Sequence, residues 1–573
     1  MNETIGFQLH YLDYLAFSLY IIILSIIGYY FGKKKKQDSS DYFLAGRTLP
    51  WYVVGSSFIA ANISTEHFIG MIGAAFVYGI CVAMSEWANV TSFSLLIWVF
   101  IPFLMSARVF STPEFLEKRF NLAVRQFFAI VTIVSNIIAF LAAVLYGGGL
   151  VIQKLFSIDL WTSIVIIGFI SGIWAIYGGL KSIAWMDVFT VIVMIIGGLL
   201  VTILGLYMLS GSDHSLISGF KVMLERNQAE TGIWHEVVVK NIRNMVDADS
   251  YQRLSVIQPV THIISPWPNL ILGVFTISIW YNALNQFMIQ RVLAAKSAYH
   301  ARMGIVFAGY LKIFMPVIVV LPGLILFARF PEVLNLPWEQ VRPEADKGYI
   351  TMLQLLVPVG LRGIFLASLF GAIQSTVSAV LNSTSTVFTL DIYKRLFNKN
   401  AKDSHYVSIG RWSSFFIIVV SIILAGFIGK LGGSLFVYIQ TLYAFFAPPF
   451  AAIFVLGILF RRINGKGAIV SVILGFILGI LIKIYIQYAE FPPAWLVPFQ
   501  MQAIVNWAFC IVVCVLVSLF TEKPKPEQIT DQLTINWKKL NIFDDLGDKW
   551  YTSVILWWGI FVLIVAGLVI TFS

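Results

Sequence analysis

Apolar runs of about twenty residues alternate along the chain with short polar connections, and about twenty apolar residues carry a helix across the hydrocarbon core of a bilayer. The pattern predicts an all-α polytopic membrane protein with about fourteen transmembrane helices. They lie near 11–32, 51–78, 80–106, 127–156, 160–179, 186–210, 268–291, 303–328, 358–396, 408–430, 434–460, 465–487, 500–520 and 551–572. Two stretches break the rhythm, a long mixed-charge loop at 211–267 and a Pro- and Glu-rich one at 330–357. Both are expected to be surface-lying connections, with a lid over an external entrance as the alternative.

Two of the spans are interrupted at their centres. Residues 60–67 read Ala-Ala-Asn-Ile-Ser-Thr-Glu-His inside the apolar stretch from Trp51 to Tyr78. An ionisable group at the bilayer midplane costs at least a few kcal/mol, so it persists where it lines a cavity or meets a partner. Several adjacent polar positions predict a broken helix whose freed carbonyls and side chains hold something. The seventh span has a similar interruption, Ser278-Ile279-Trp280-Tyr281-Asn282. If five spans make a repeat unit, the second and seventh are the first members of successive units. Interrupted helices at equivalent positions point to a transport site built on inverted repeats.

Composition and charge agree. The 573 residues are 59% hydrophobic and 12% charged, against about 25% charged in soluble domains. The net charge of +10 sits in short loops between apolar runs, which fits the positive-inside rule and gives no nucleic-acid surface. With the N-terminus outside, the loops bearing Lys33–Lys36, Arg108/Lys118/Arg119, Lys181, Arg291/Lys296/Arg302, Lys394/Arg395/Lys399, Arg461/Arg462 and Lys523/Lys525 all fall inside. The C-terminus then ends outside. The first eleven residues lack the basic start of a signal peptide. Cys81, Cys510 and Cys514 lie in apolar runs and are expected to be packing residues. No nucleophile–base motif appears, so an enzyme has no positive support.

Two constellations carry chemistry. Oxygen ligands suit a hard cation, and an unwound helix supplies carbonyls while a neighbour supplies hydroxyls. Ser375 and Thr376 are adjacent hydroxyls in the apolar span 358–396. On chemistry alone, bonds back to carbonyls of the preceding turn are favoured for them. The second constellation suits a polar solute. Glu86 lies inside the third span and Lys312 inside the eighth, with Asn62, His67, Asn89 and Gln440 also at membrane depth. A ring of hydroxyls needs carboxylate and amide acceptors, amine and amide donors, and a flat aromatic, for which Tyr281, Trp87 and Tyr438 are candidates. The alternative for Glu86 and Lys312 is a structural ion pair closing two helices.

At these residues the chain resembles the sodium–solute symporter family, and within it the sodium/glucose–galactose cotransporters. The matching stretches are Asp41 to Trp51, Ala60 to Gly70, Gln290-Arg291 through Ala295-Lys296, Leu381 to Thr386, Asp391-Ile392-Tyr393-Lys394 and Tyr438-Ile439-Gln440. The likeness runs from about residue 12 to 485 and weakens in the external loops. It implies a LeuT-like fold of two five-helix inverted repeats. On that reading, 1–50 is an extra N-terminal helix with its loop, 51–210 the first repeat, 211–267 an extracellular loop, 268–460 the second repeat and 461–573 additional helices.

The resemblance also implies roles. Ala60, Ile63, Ala372, Ser375 and Thr376 match the family's sodium site, which replaces the back-bonding expectation for the two hydroxyls. Asn62, His67, Glu86, Ser278, Tyr281, Lys312 and Gln440 match sugar-binding positions, and Tyr281 falls at the inner gate. Three positions depart from the pattern. Asn282 stands where sugar cotransporters usually have Trp, Asn89 replaces a small hydroxyl residue, and Ala379 lacks a hydroxyl that some members use for a second sodium. Asn89 and Asn282 are taken as part of the solute site. Asp187 and Ser378 keep other parts of a possible second sodium site. The implied activity is sodium-coupled import of a monosaccharide, galactose, glucose or mannose, by a monomer in the plasma (inner) membrane. The alternatives are a symporter of the same fold for myo-inositol, sialic acid or another polar solute, and a non-transporting sensor.

Overall fold

The computed structural model describes residues 9–33, 38–242, 251–428, 435–536 and 544–573. Most of the basic run after the first span, and the first eight residues, lie outside the described residues. Helix is the regular element throughout the described residues, relieved only by isolated bridges such as Leu49 with Ala295. Eleven described helices are at least 18 residues long and apolar enough to cross a membrane. Most expected spans are recovered within a few residues of their expected ends. Two pairs are fused: Glu66–Ser106 runs on past Gly79, and Leu160–Leu209 runs on through a turn at Gly179, whose φ of +60° packs it against the Tyr42 carbonyl. A side chain there would need a left-handed backbone and would strike that carbonyl 2.4 Å away.

Both expected interruptions are present. The Trp51–Asn62 helix stops at Ile63, which is extended (φ −80°, ψ 122°), and the chain resumes as a wide turn at Glu66–Met71 before Ile72–Tyr78. The seventh span is a chain of short pieces, Pro268–Leu272, Gly273–Phe275, Ile277–Ile279 and Trp280–Leu284. It breaks at the extended Asn285 (φ −62°, ψ 125°) before Gln286–Leu293. Each break frees carbonyls that a continuous helix would consume.

The two long loops are not simple surface connections. Residues 330–357 contain a helix, Trp338–Leu356, that meets the broken span at Gly73. In the 211–267 loop, residues 251–265 insert into the protein. Arg253 is 4% exposed and donates to the carbonyls of Val77 (2.8 Å) and Phe76 (2.9 Å), capping the end of the Ile72–Tyr78 helix. Its guanidinium lies 3.6 Å from the centre of the Phe327 ring. Gly79 (φ +82°) lets Ile80 N–H reach the Arg253 carbonyl at 2.8 Å, since a Cβ there would lie 2.1 Å from that oxygen. The final helix, Val554–Thr571, ends on the same segment, where Val256 N–H bonds to the Phe572 carbonyl.

Elsewhere in the fold, Arg125 pairs with Glu117 and with Asp391 (2.6 Å), and Arg395 pairs with Glu117. The segment after 521 lies here too: Asp531 pairs with Arg461, and Gln528 reaches the Phe120 carbonyl. Four of the loops that the charge pattern groups on one side therefore meet one another. All three cysteines are buried and free.

Candidate functional site

The carbonyls released at the first break meet the hydroxyls of the Arg362–Val387 helix. Ser375 Oγ donates to the Ala60 carbonyl at 2.7 Å and also to the Ala372 carbonyl of its own helix at 3.2 Å. Thr376 Oγ1 reaches the carbonyls of Ile63 (2.9 Å) and Ala61 (3.2 Å). Ala60, Ala61, Ile63, Ala372, Ser375 and Thr376 thus meet between the two helices, all buried. Back-bonding occurs for Ser375 yet does not exhaust it, because the hydroxyl also reaches across. Four carbonyls and two hydroxyls form a neutral all-oxygen set, the donor type that suits a hard cation.

Asp187 and Ser378 are not drawn into that cluster. Asp187 accepts from Ser57 Oγ at 2.6 Å and lies 3.9 Å from the Arg291 guanidinium. Ser378 donates to the Ser171 carbonyl at 2.8 Å and accepts from Gln374. These partners have no member in common.

Beside the same broken turn lies a cavity of about 100 Å³. It is lined by Asn62, His67, Glu86, Asn89, Ser278, Tyr281, Lys312 and Gln440 among others, so eight of the nine residues expected at the solute site come together. Asn282 stands behind the lining, bonded to Asn89 Oδ1 (2.7 Å) and Ser92 Oγ (2.9 Å). Lys312 Nζ bonds Glu86 Oε2 at 2.5 Å and also Asn62 Oδ1. His67 Nε2 lies 3.3 Å from the other Glu86 oxygen, while its Nδ1 faces the Ser64 N–H. Glu86 and Lys312 are therefore an ion pair that also faces the cavity, so the structural and the solute-binding readings describe one pair of side chains.

Among the aromatic candidates only Tyr281 lines the cavity. Trp87 stacks on Phe572 instead, and Tyr438 is not part of the lining. Tyr443, Phe436 and Phe499 take their place. Tyr281 packs 5.5 Å from Tyr443 and edge-on to Phe287 at 5.8 Å. Glu66, which is not among the residues expected at the solute site, lines the cavity and accepts from Gln440 Nε2 at 2.8 Å. Its signal was its place in the polar run, directly before His67. At the other end, the lining reaches Ile264, Ser265, Phe499 and Gln500, from the 211–267 loop and the start of the Phe499–Phe520 helix.

A family model, sodium:solute symporter family, matches residues 42–475. This chain belongs to that family. The sodium/glucose cotransporter of Vibrio parahaemolyticus is 32% identical over 94% of this chain and 97% of that protein. The human sodium/myo-inositol cotransporter is 31% identical over 92% of this chain and 76% of its own length. Among solved structures, a Na⁺-coupled sialic acid symporter in a substrate-bound outward-open state superposes with a TM-score of 0.74. It covers 90% of this chain at 20% identity, which speaks to the fold. Membership makes the chain a multi-pass, sodium-coupled transporter and not an enzyme.

Proposed function

We propose that this symporter imports a neutral, hydroxyl-rich solute of monosaccharide size, with galactose, glucose or mannose as first candidates, together with sodium. The observation that carries this reading is the shared turn. Ala60, Ala61 and Ile63 turn their carbonyls to Ser375 and Thr376, while Asn62 and His67, on the same turn, border the cavity. Sodium at the carbonyl–hydroxyl cluster then orders the turn that completes the solute site. Glu86 argues against a carboxylate solute, because its charge would repel one. The relatives named for glucose and for myo-inositol support the same solute chemistry, and a cyclitol such as myo-inositol is the second reading.

The architecture proposed with it is a 5+5 inverted repeat, 51–210 and 268–460, flanked by 1–50 and 461–573, with 211–267 as an external loop. Fourteen spans result when Leu160–Leu209 is divided at Gly179, Glu66–Ser106 is divided at Gly79 with Trp51–Asn62 joined to its first part, and 268–293 is counted. We place both termini outside and the Arg125–Asp391 face inside, in the plasma (inner) membrane, because that satisfies the positive-inside rule. One chain supplies every group of both sites, which supports action as a monomer.

Sodium entering from outside holds the Trp51–Asn62 helix against Arg362–Val387, solute completes the closure, and the repeats rock until Tyr281 releases the cavity inward. Coupling requires that sodium bind one conformation better than the other. A potential of about 100 mV supplies roughly 2.3 kcal/mol per charge, and a tenfold sodium gradient adds about 1.4 kcal/mol. One sodium then supports accumulation of roughly several hundredfold. We assign one sodium per cycle, since Asp187, the charged member of a second site, is already matched by Arg291 and Ser57. The test is uptake of galactose, glucose, mannose and myo-inositol into proteoliposomes with and without an inward sodium gradient. Gradient-driven uptake of one of them is expected. Uptake of none, or uptake indifferent to sodium, overturns the reading.

A further inference from the structure

The cavity holds two carboxylates, and the reading above uses only Glu86. Glu66 is 5% exposed and borders the same space. Its Oε1 accepts from Gln440 Nε2 at 2.8 Å, and its Oε2 lies 3.4 Å from the Tyr443 hydroxyl. A carboxylate only accepts and an amide NH₂ only donates, so this bond decides which way the Gln440 amide faces. Its nitrogen is committed to Glu66, and its carbonyl Oε1 is left for whatever occupies the cavity.

We propose that Glu66 is a positioning residue for solute specificity: it holds Gln440 so that a carbonyl acceptor, and not an amide donor, meets the solute. The inference rests on the solute cavity assigned above and sharpens what that cavity selects. The same logic acts at two neighbours. Lys312 Nζ only donates, so it claims Asn62 Oδ1. The Ser64 N–H faces His67 Nδ1, so the ring proton sits on Nε2 and points to Glu86. With Gln440 Oε1, Glu86 and Glu66 all accepting, the cavity is rich in acceptors. It selects a solute that donates a hydroxyl proton at the Gln440 position, and it rejects one that offers only an ether oxygen, a fluorine or a hydrogen there. A site built around a buried polar group discriminates strongly against an analogue that leaves the group unpaired.

The test uses the full chain in proteoliposomes under an inward sodium gradient. The probe is D-glucose or myo-inositol, whichever is taken up, with its mono-deoxy and mono-fluoro analogues as competitors. In the wild type, at one hydroxyl position, both analogues are expected to compete about tenfold more weakly than the parent, the loss of one hydrogen bond. In Glu66→Gln, residue 66 can accept or donate, so Gln440 is free to turn its nitrogen to the solute. The fluoro analogue, which accepts weakly but cannot donate, then gains on the deoxy analogue at that position. The exchange E66Q/Q440E moves the carboxylate to the other end of the same bond, faces the solute with an acceptor again and restores the wild-type order. Tyr443→Phe leaves the Glu66–Gln440 bond in place and keeps that order.

The sodium concentration for half-maximal uptake stays unchanged in Glu66→Gln, which separates this role from damage to the neighbouring cation cluster. A Glu66→Gln protein with the wild-type order of parent, fluoro and deoxy compounds overturns the inference. If Glu66→Gln shows no uptake, the exchange variant decides: restored uptake with the wild-type order supports the inference, and no uptake overturns it. Gln440→Ala tells this failure from a deeper one. Full uptake in that variant removes the solute-site reading itself, whereas its loss beside an indifferent Glu66→Gln removes only the role of Glu66.

Discussion

Asn282 donates its side-chain amide to Asn89 Oδ1 at 2.7 Å, joining two positions 193 residues apart. These are the two positions at which the resemblance to sugar cotransporters implies a departure in the solute region, and the structure joins them by this bond. On that resemblance an amide stands at 282 in place of the usual Trp, and a second amide at 89 in place of a small hydroxyl residue. Asn89 is held in turn by the Ser85 carbonyl at 2.7 Å. Asn282→Ala therefore strands a buried acceptor and is expected to cost about 1–3 kcal/mol. The double variant Asn89→Ser/Asn282→Trp is expected to lose less than the sum of its single changes, because residues in contact couple. Thermal unfolding of the four proteins in detergent checks this; additive losses would mean that the amides act independently.

In the proposed cation cluster Ser375 and Thr376 each give one hydroxyl, and both are buried. Ser375→Ala and Thr376→Ala are expected to raise the sodium concentration for half-maximal uptake roughly tenfold, equivalent to about 1.4 kcal/mol per lost ligand. Solute affinity at saturating sodium should change little. Sodium titration of uptake is the measurement, and unaltered titrations in both variants would move the cation site elsewhere.

Much of this was legible in the sequence because the bilayer restricts the choices. Apolar length reports spans, and polar residues at mid-depth report a break, so the interruptions at Ile63 and Asn285 were visible as Asn62–His67 and Ser278–Asn282. Contacts between distant elements were not. Nothing in a run of residues says that Asn282 meets Asn89, that Trp87 turns to Phe572, or that Glu66 holds Gln440. The 211–267 loop misled for a related reason. Its mixed charge reads as solvated surface, yet Arg253 is buried because the helix end at Val77 supplies the carbonyls that replace water.

Lys312 and Glu86 form a buried pair at 2.5 Å, with Asn62 and His67 as further partners. Removing one member leaves the other charge unmatched, which costs about 3–5 kcal/mol. Lys312→Met and Glu86→Gln are each expected to abolish solute uptake. Lys312→Met should also lower thermal stability more than the double variant Lys312→Met/Glu86→Met does. Unfolding temperatures and uptake measured together separate the two contributions, and solute uptake at wild-type affinity in Glu86→Gln would make the pair purely structural.

Arg253 and Asp13 each cap the end of a helix. Arg253 serves the carbonyl end of Ile72–Tyr78, and Asp13 accepts from the N–H groups of Gly360 and Gly363 at the start of Arg362–Val387. Each charge matches the helix dipole that it meets. Arg253→Ala is expected to cost about 3 kcal/mol, with Arg253→Lys intermediate because an ammonium cannot span several carbonyls at once. Asp13→Asn removes the charge but keeps one acceptor and should cost about 1 kcal/mol. Denaturation of the purified proteins checks the order Arg253→Ala, Arg253→Lys, Asp13→Asn, and equal losses would discount the caps.

His262 tests the loop by pH. Its Nδ1 accepts from the N–H groups of Ile264 (3.3 Å) and Ser265 (3.1 Å), and the ring stacks on Tyr251 at 5.8 Å. Burial pushes the imidazole down from 6.5 to about 3, since a charge there has no water to meet. Between those values the unfolded chain takes up a proton that the folded loop refuses. Stability is therefore full above about pH 6.5 and falls as pH drops towards 3. Protonation would also turn Nδ1 into a donor facing two N–H groups, so it opposes the fold locally as well as electrostatically. His262→Asn keeps an acceptor and removes the titration. The variant is expected to lose some stability at pH 7.5 but to show a shallower decline between pH 6.5 and 4.5 than the wild type. Unfolding temperatures across that range decide it, and identical slopes in the two proteins would show that His262 titrates freely and that the 251–265 segment opens to solvent.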